Sequence, residues 1–220
     1  MASSLQRRVD PPIATADAPV LRVEPDGPRA SEEAIRLALH VRDTRSAGEG
    51  RVLMFVPICA SGDAVPLVDD VVRGLVELNE GPALVVDLRV SQTRRLPRRW
   101  AELPGDGDAI SGAWHSGVES AGRAHPFAGR QDTVSHAASP EFAAFFAHAR
   151  ARYSYVLCVA NPPASSVETL IAAGLCDGVV LSVSPRRTTR AEVQRAADQL
   201  RRAHAHVIGF VVDGRAQKGA

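Results

Sequence analysis

The sequence predicts an α/β fold, a mostly parallel sheet covered by helices on both faces. Three observations carry this prediction. Apolar runs such as "RVLMFV" (51–56), "PALVVDL" (82–88) and "SYVLCVA" (154–160) alternate with amphipathic segments. Their central residues are apolar without alternation, as in strands buried on both faces. The stretch "PICASGDAVPL" (57–67) joins the first such run to a helical pattern through small residues, a strand–turn–helix frame that can cradle a phosphate.

The elements follow in order. Residues 1–30 hold Pro11, Pro12, Pro19, Pro25 and Pro28 with little apolar periodicity, so a disordered arm is expected. A domain is expected over 31–214 and a short tail over 215–220. "SEEAIRLALHVRD" (31–43) opens on a Ser N-cap with acids in its first turn, and Ile35, Leu37, Leu39 and Val41 suggest its packed face. A strand over 51–56, a helix over 66–78 and a strand over 82–88 come next. Residues 90–138 are rich in Gly, Ser, His, Arg and Pro, and are expected to form an irregular excursion with one short helix over 109–118. Order returns where Ser139 caps a helix that has Pro140 in its first turn and Phe142, Phe145 and Phe146 on its packed face. A strand (154–160), a helix from about 166, a strand (176–184), a helix (188–203) and a strand (206–214) complete the pattern.

Composition excludes several function classes. With 26 basic and 25 acidic residues in 220, the formal net charge is +1, and no global field selects nucleic acid or an anionic membrane. No run approaches the roughly 20 apolar residues of a membrane span. No apolar segment follows Arg7 and Arg8, so a secretory signal is not expected. Cys59, Cys158 and Cys176 lie far apart in or beside apolar runs, which suits buried thiols in a reducing compartment. The seven histidines show no zinc spacing, and His115, His125 and His136 lie in the irregular segment, where no Ser/His/Asp arrangement can be argued. Every basic side chain but Lys218 is arginine, so chemistry that needs a lysine inside the domain is excluded.

The second half carries a resemblance. "RYSYVLCVANPP", a helix, "DGVVLSVS", "TT" opening a helix, and "VIGFVVDG" occur in that order. They resemble the nucleotide-binding domain of the bacterial tyrosine autokinases of capsule and exopolysaccharide synthesis. Those kinases are relatives of the MinD/ParA deviant-Walker ATPases. The resemblance covers about 139–214 and extends more weakly over 33–89. It implies a P-loop NTPase-like three-layer sandwich.

Set against the family's pattern, the chemistry is missing. In the GEGKST-like loop Gly62 and Asp63 match, but Ala64 stands for Gly, Val65 for Lys, Pro66 for Ser and Leu67 for Thr. A phosphate cradle needs free N–H groups, a lysine and a hydroxyl for magnesium. Val65 and Leu67 supply neither charge nor hydroxyl, and Pro66 removes an N–H. Asp69 and Asp70 are expected in the first turn, answering the positive helix end themselves. In the DxDxR strand Val85 replaces the first Asp, while Asp87 and Arg89 remain. The DTPP motif reads "ANPP", with Ala160 for Asp and Asn161 for Thr, and Asp213 stands for the adenine-side Asn. The family's tyrosine-rich tail has no counterpart, since the two tyrosines, Tyr153 and Tyr155, lead into a strand. Its Glu-x-x-Arg-x-x-Arg oligomerisation pattern is half present, with Glu33 and Arg36 but Leu39 in the third place.

The remaining features favour plain readings. Asp87 and Arg89 are read as a strand-end ion pair in preference to an anion or metal site. "RRLPRRW" (94–100) is read as a solvated loop in preference to a surface for lipid phosphate, polysaccharide or RNA. The "SGD" at 61–63 is read as a turn freed by Gly62.

The resemblance implies a catalytically inactive relative of these kinases, without ATP or magnesium. It would be a cytoplasmic accessory of polysaccharide synthesis or export, at the inner membrane only through a partner. That partner would be the cytoplasmic segment of a membrane polysaccharide co-polymerase (Wzz-like) or a kinase-competent homologue, with homo-oligomerisation an option through Glu33 and Arg36. No nucleic-acid partner is expected. Two alternatives stand beside it. One is an active tyrosine autokinase or ATPase switch with atypical ligands, needing an arginine such as Arg89 in place of lysine. The other is a MinD/ParA-like positioning protein.

Overall fold

The computed structural model describes residues 31–43, 50–59, 62–89, 121–127, 130–185 and 187–212. The expected arm, the helix over 109–118, the "RRLPRRW" segment and Asp213 lie outside them. The elements are α1 (Glu32–Asp43), β1 (Arg51–Pro57), α2 (Val65–Glu77), β2 (Ala83–Asp87), β3 (Ala121–Ala124), α3 (Thr133–Ala137), α4 (Pro140–Arg152), β4 (Tyr155–Val159), α5 (Val167–Ala173), β5 (Gly178–Val183), α6 (Arg190–Arg202) and β6 (Val207–Val212). The six strands form one sheet in the order β3-β2-β4-β1-β5-β6. Every pairing is parallel.

Why β1 is central follows from its sequence. All but Arg51 of its seven residues are buried, and it is flanked by β4 on one side and β5 on the other. Two apolar layers meet the sheet. Val52, Met54, Val56, Val156, Cys158, Val179 and Leu181 face α4, α5 and α6. Leu53, Phe55, Val85, Leu157 and Val180 face α1 and α2. That alternation is the period of two expected of a strand covered on both sides.

Helix ends match the local chemistry. Ser139 accepts from Phe142 N–H at 3.2 Å, with Pro140 in the first turn of α4. Thr189 and Glu192 close a reciprocal capping box on α6. Ser31 accepts from Ala34 N–H at 3.1 Å on α1. Helix α2 stops where Asn79 turns to a positive φ of 53°, a conformation Asn tolerates. Below the sheet, the Asp177 carboxylate accepts from Val52 N–H at 2.7 Å and from Arg150, which ties β1, α4 and the start of β5 together.

Two expectations are corrected. The face that α1 buries is Ala34, Ala38 and Val41, while Ile35, Leu37 and Leu39 are only half-buried. Small residues win because Gly74 of α2 lies against them. A Cβ on Gly74 would come within 2.6 Å of the Ala34 carbonyl oxygen and 2.7 Å of the Ala38 Cβ. The second correction concerns 90–138, which is not irregular to its end. β3 pairs with β2 in register from Ala83↔Ala121 to Val86↔Ala124, and α3 follows. Phe127 stacks on Phe142 at 5.3 Å. Thr133 and Ser166 donate to the buried Glu168 at 2.5 and 2.9 Å, fastening α3 to α5. Burial pushes the Glu168 carboxyl up, but the Thr133, backbone and Ser166 hydrogen bonds outweigh it and leave it below its ordinary value.

The α1–α2 contact yields a test. Gly→Ala in a helix interior ordinarily stabilises by up to about 1 kcal/mol. At Gly74 the new methyl meets backbone, so Gly74→Ala is expected to destabilise the domain by about 1–3 kcal/mol, the cost of overpacking. Chemical denaturation reads the sign directly, and a stabilised variant would show that α1 is not held this closely.

Candidate functional site

In open parallel sheets ligands gather at the carboxyl ends of the strands, where the connections reverse direction. Here β1 leads through α2 to β2 on one side, and β5 leads through α6 to β6 on the other. The crevice therefore falls above β1, at the loop 57–64 and the start of α2.

The loop is closed on itself. Gly62 N–H donates to the Cys59 carbonyl at 2.9 Å, and Ile58 N–H donates to the Ser182 carbonyl at 3.2 Å. A Cβ on Gly62 would lie 2.7 Å from Pro57 Cβ and 3.0 Å from the Cys59 carbonyl oxygen. Glycine is needed here because the turn folds back against its own strand. Ala64 is fully buried and begins α2 without a side-chain cap of its own. Val65 is half-buried, Pro66 is exposed in the first turn, and Leu67 is buried. Leu67 packs in the α1–α2 core layer and Val65 at its edge.

Asp63 supplies the charge at the helix start. Its Oδ1 accepts from Val65 N–H at 2.9 Å and from Arg89 Nη1 at 3.1 Å. The expectation that Asp69 and Asp70 fill this role is corrected, because the first turn of α2, opening at Val65, contains no acid. Asp70 instead pairs with Arg73 at 3.0 Å along the helix. The carboxylate ahead of the helix wins because it reaches the end N–H groups directly.

Arg89 joins this carboxylate to a second one. Its Nε donates to Asp87 Oδ1 at 2.9 Å and its Nη2 to Asp87 Oδ2 at 2.7 Å, and its backbone N–H donates to Asp87 Oδ1 at 3.1 Å. His125, just past β3, lies with Nδ1 3.8 Å from Asp87 Oδ2. The strand-end pair read from the sequence is thus present, and bidentate, with Asp63 as a third member. Burial pushes the Asp87 carboxyl up, yet the Arg89 hydrogen bonds and charge, with a smaller contribution from His125, hold it below its ordinary 3.8. The hydrogen bond to Asp87 raises the Arg89 guanidinium further.

The other expected positions fall apart from this cluster or close beside it. Ala160 is fully buried, with its N–H donating to the Phe55 carbonyl at 3.3 Å. The Asn161 carbonyl accepts from Thr169 Oγ1 at 3.1 Å. Glu33 and Arg36 are exposed on α1, and Arg36 pairs with Glu32 of its own helix. Among the described residues, no group of three or more His, Cys, Asp or Glu side chains could hold a metal ion. Cys158 is fully buried and its thiol is pushed well above its ordinary value by burial, while Cys59 and Cys176 are half-buried. Among the described residues no helix is long and apolar enough to cross a membrane. The sequence reading missed Asp63 as a cap and His125 as a neighbour. An Asp two residues before a helix start is a local signal for the first, whereas nothing local marks the second.

Comparison places this geometry among known folds. No family model matches the chain, and no curated protein matches it. Solved structures do. The VpsO kinase domain aligns over 85% of this chain and 93% of its own, at 16% identity and a TM-score of 0.64. The kinase domain of the Escherichia coli tyrosine kinase ETK aligns over 86% of this chain and 77% of its own, at 14% identity and a TM-score of 0.65. The BceF tyrosine kinase domain aligns over 83% and 74%, at 16% identity and a TM-score of 0.58. The chain has the fold of these tyrosine kinase domains.

In that fold the Asp63–Arg89–Asp87 cluster sits where the loop after β1 meets the end of β2. Removing Arg89 leaves the buried Asp87 carboxylate without its main partner. Arg89→Gln is expected to cost about 2 kcal/mol, read from the urea midpoint, while the more exposed Asp63→Ala costs less. Because the folded Asp87 carboxyl is depressed, its contribution is complete above the ordinary value of 3.8 and is lost as pH falls through the lower folded value. Stability measured from pH 6 down to pH 2 should therefore fall less steeply in Arg89→Gln than in the unmodified chain; equal slopes would contradict the assignment.

Proposed function

We propose that the chain is a catalytically inactive relative of the tyrosine autokinases of exopolysaccharide and capsule synthesis, acting by protein–protein contact. The observation that carries this reading is the start of α2, where Val65, Pro66 and Leu67 stand in the places of a lysine and two hydroxyls and Leu67 is buried; the acid ahead of them matches the kinase pattern. The first N–H group of α2 is answered by an internal carboxylate at 2.9 Å, and that carboxylate is paired with Arg89 at 3.1 Å. A nucleotide phosphate at the same helix end would face this negative charge. It would find Val65, Pro66 and Leu67 where a lysine and hydroxyls are needed. Pro66 contributes no N–H, and the loop before it is folded against Pro57 and Cys59. The residues present do not fit a magnesium–nucleotide complex, and no catalytic step is assigned.

What remains is a scaffold with the shape of such a kinase. Its partner, on this reading, is the cytoplasmic segment of a membrane polysaccharide co-polymerase or an active kinase homologue, and its place is the cytoplasm beside the inner membrane. The likeness to the VpsO and ETK kinase domains supports the shape; the altered loop supports the loss of chemistry. Arg89 does not favour an active switch with arginine for lysine, because its guanidinium is committed to Asp87 and Asp63.

Two measurements test the two halves of this proposal. Calorimetric titration with MgATP is expected to give no binding heat at micromolar protein and ligand, and labelled ATP no phosphate transfer; either signal would overturn inactivity. Immobilised co-polymerase cytoplasmic segment is expected to retain the purified full chain, and to retain it equally with and without MgATP. Failure to bind both that segment and an active kinase homologue would overturn the assigned role.

A further inference from the structure

The two edges of the sheet are built differently. Among the described residues, β3 forms one edge and spans only four residues, a short edge of the kind that discourages pairing. β6 spans six residues, "VIGFVV", without charge or proline. Among the described residues it pairs only with β5. Phe210 and Val212 are 65% and 55% exposed. Their register partners are Leu181 and Val183, which lie in the layer beneath α4, α5 and α6. The two side chains thus continue that apolar layer beyond the strand that the helices cover. On the other face Gly209 has nothing within 4 Å of an added Cβ. A bulge at Ile208, between the pairs Val179↔Val207 and Val180↔Gly209, leaves 209–212 regular.

We propose that β6 is a self-association edge, occupied by β6 of a second copy in antiparallel pairing. A two-fold axis normal to the sheet brings identical strands together antiparallel. Directly opposite residues of an antiparallel pair point to the same face. The axis must then fall on a residue and not between two, and within the regular stretch it falls on Phe210 or Val211. The first places Phe210 against Phe210 of the partner; the second places each Phe210 against the partner's Val212. Either arrangement joins the exposed side chains of both copies into one strip.

Charge favours a copy over other occupants. The strand has no charge with which to select an oppositely charged partner, and a net charge of +1 gives no long-range repulsion between copies. Two of the chain's own segments, 1–30 and 213–220, offer little strand to compete. Residues 213–220 read "DGRAQKGA", and the five prolines of residues 1–30 leave "VLRVE" (20–24) as their one strand-like run. This surface is separate from the loop above β1 and does not depend on the function proposed there.

Light scattering of the full chain across a concentration series tests the proposal. The unmodified chain is expected to approach twice its single-chain mass. Phe210→Lys with Val212→Lys is expected to halve that mass at unchanged circular dichroism. Val134→Lys with Val167→Lys, at the other exposed apolar residues, and Leu21→Asp with Val23→Asp, in the arm, are expected to leave the dimer intact. A single-chain mass for the unmodified chain at every concentration overturns the proposal. So does a dimer that survives in the folded strand variant, or one lost in either control. Should the lysine variant not fold, cross-linking decides: Phe210→Cys or Val211→Cys is expected to give a disulfide dimer that the unmodified chain does not give under the same oxidant, and a cross-link from neither overturns the edge.

Discussion

A carboxylate that is 8% exposed cannot stay charged without a partner, and Asp87 is such a carboxylate. It stands at the end of β2, a strand whose five residues are all buried. Arg89 answers it from two residues on, through both carboxylate oxygens. That commitment fixes the direction of the guanidinium, and its remaining nitrogen meets Asp63 across the crevice. The loop after β1 is thereby tied to β2, although β4 lies between the two strands in the sheet.

The same pairing settles how the start of α2 is satisfied. A helix begins with N–H groups that have no partner within it, together with a partial positive charge. In a phosphate-binding loop an external anion meets that need. Here Asp63 meets it from within, and Arg89 neutralises the charge that Asp63 brings. The internal solution is local and always present, whereas a ligand must be found in solution. Val65, Pro66 and Leu67 serve packing and helix initiation, roles in which valine, proline and leucine are good residues.

How much of this could be read from the sequence varies with the range of the interaction. Ser139 with Pro140 signals the start of its helix within two residues, and that cap forms as expected; Thr189 and Glu192 close the start of α6 by an equally local pair. The buried strands were legible because their apolar runs have no polar interruptions. The face of α1 was not, because the larger residues Ile35, Leu37 and Leu39 outweigh Ala34 and Ala38 in any apolar pattern, and only Gly74 of another helix reverses that order. β3 was hidden for a similar reason. "AGRA" has no strand signature, and it pairs because the free edge of β2 recruits it. At the site, Asp87 and Arg89 were legible as a pair since they are two residues apart. Asp63 is 26 residues from Arg89, and nothing local announces that the two meet.

The fold and the chemistry part company for a physical reason. The sheet is held by β1, β4 and β5, whose side chains fill two apolar layers; Ala64 and Leu67 join one of them and Ala160 the other. Ala160, at the end of β4, is fully buried, so replacing an acid there with a methyl group adds to the core and removes a charge that would need compensation. The shape rests on the two apolar layers, whereas the charged cluster of Asp63, Arg89 and Asp87 sits at a strand end and a loop beside them. The outer surfaces remain free to take on contact functions, since pairing at an edge strand or docking on a helix needs the frame and not the cradle.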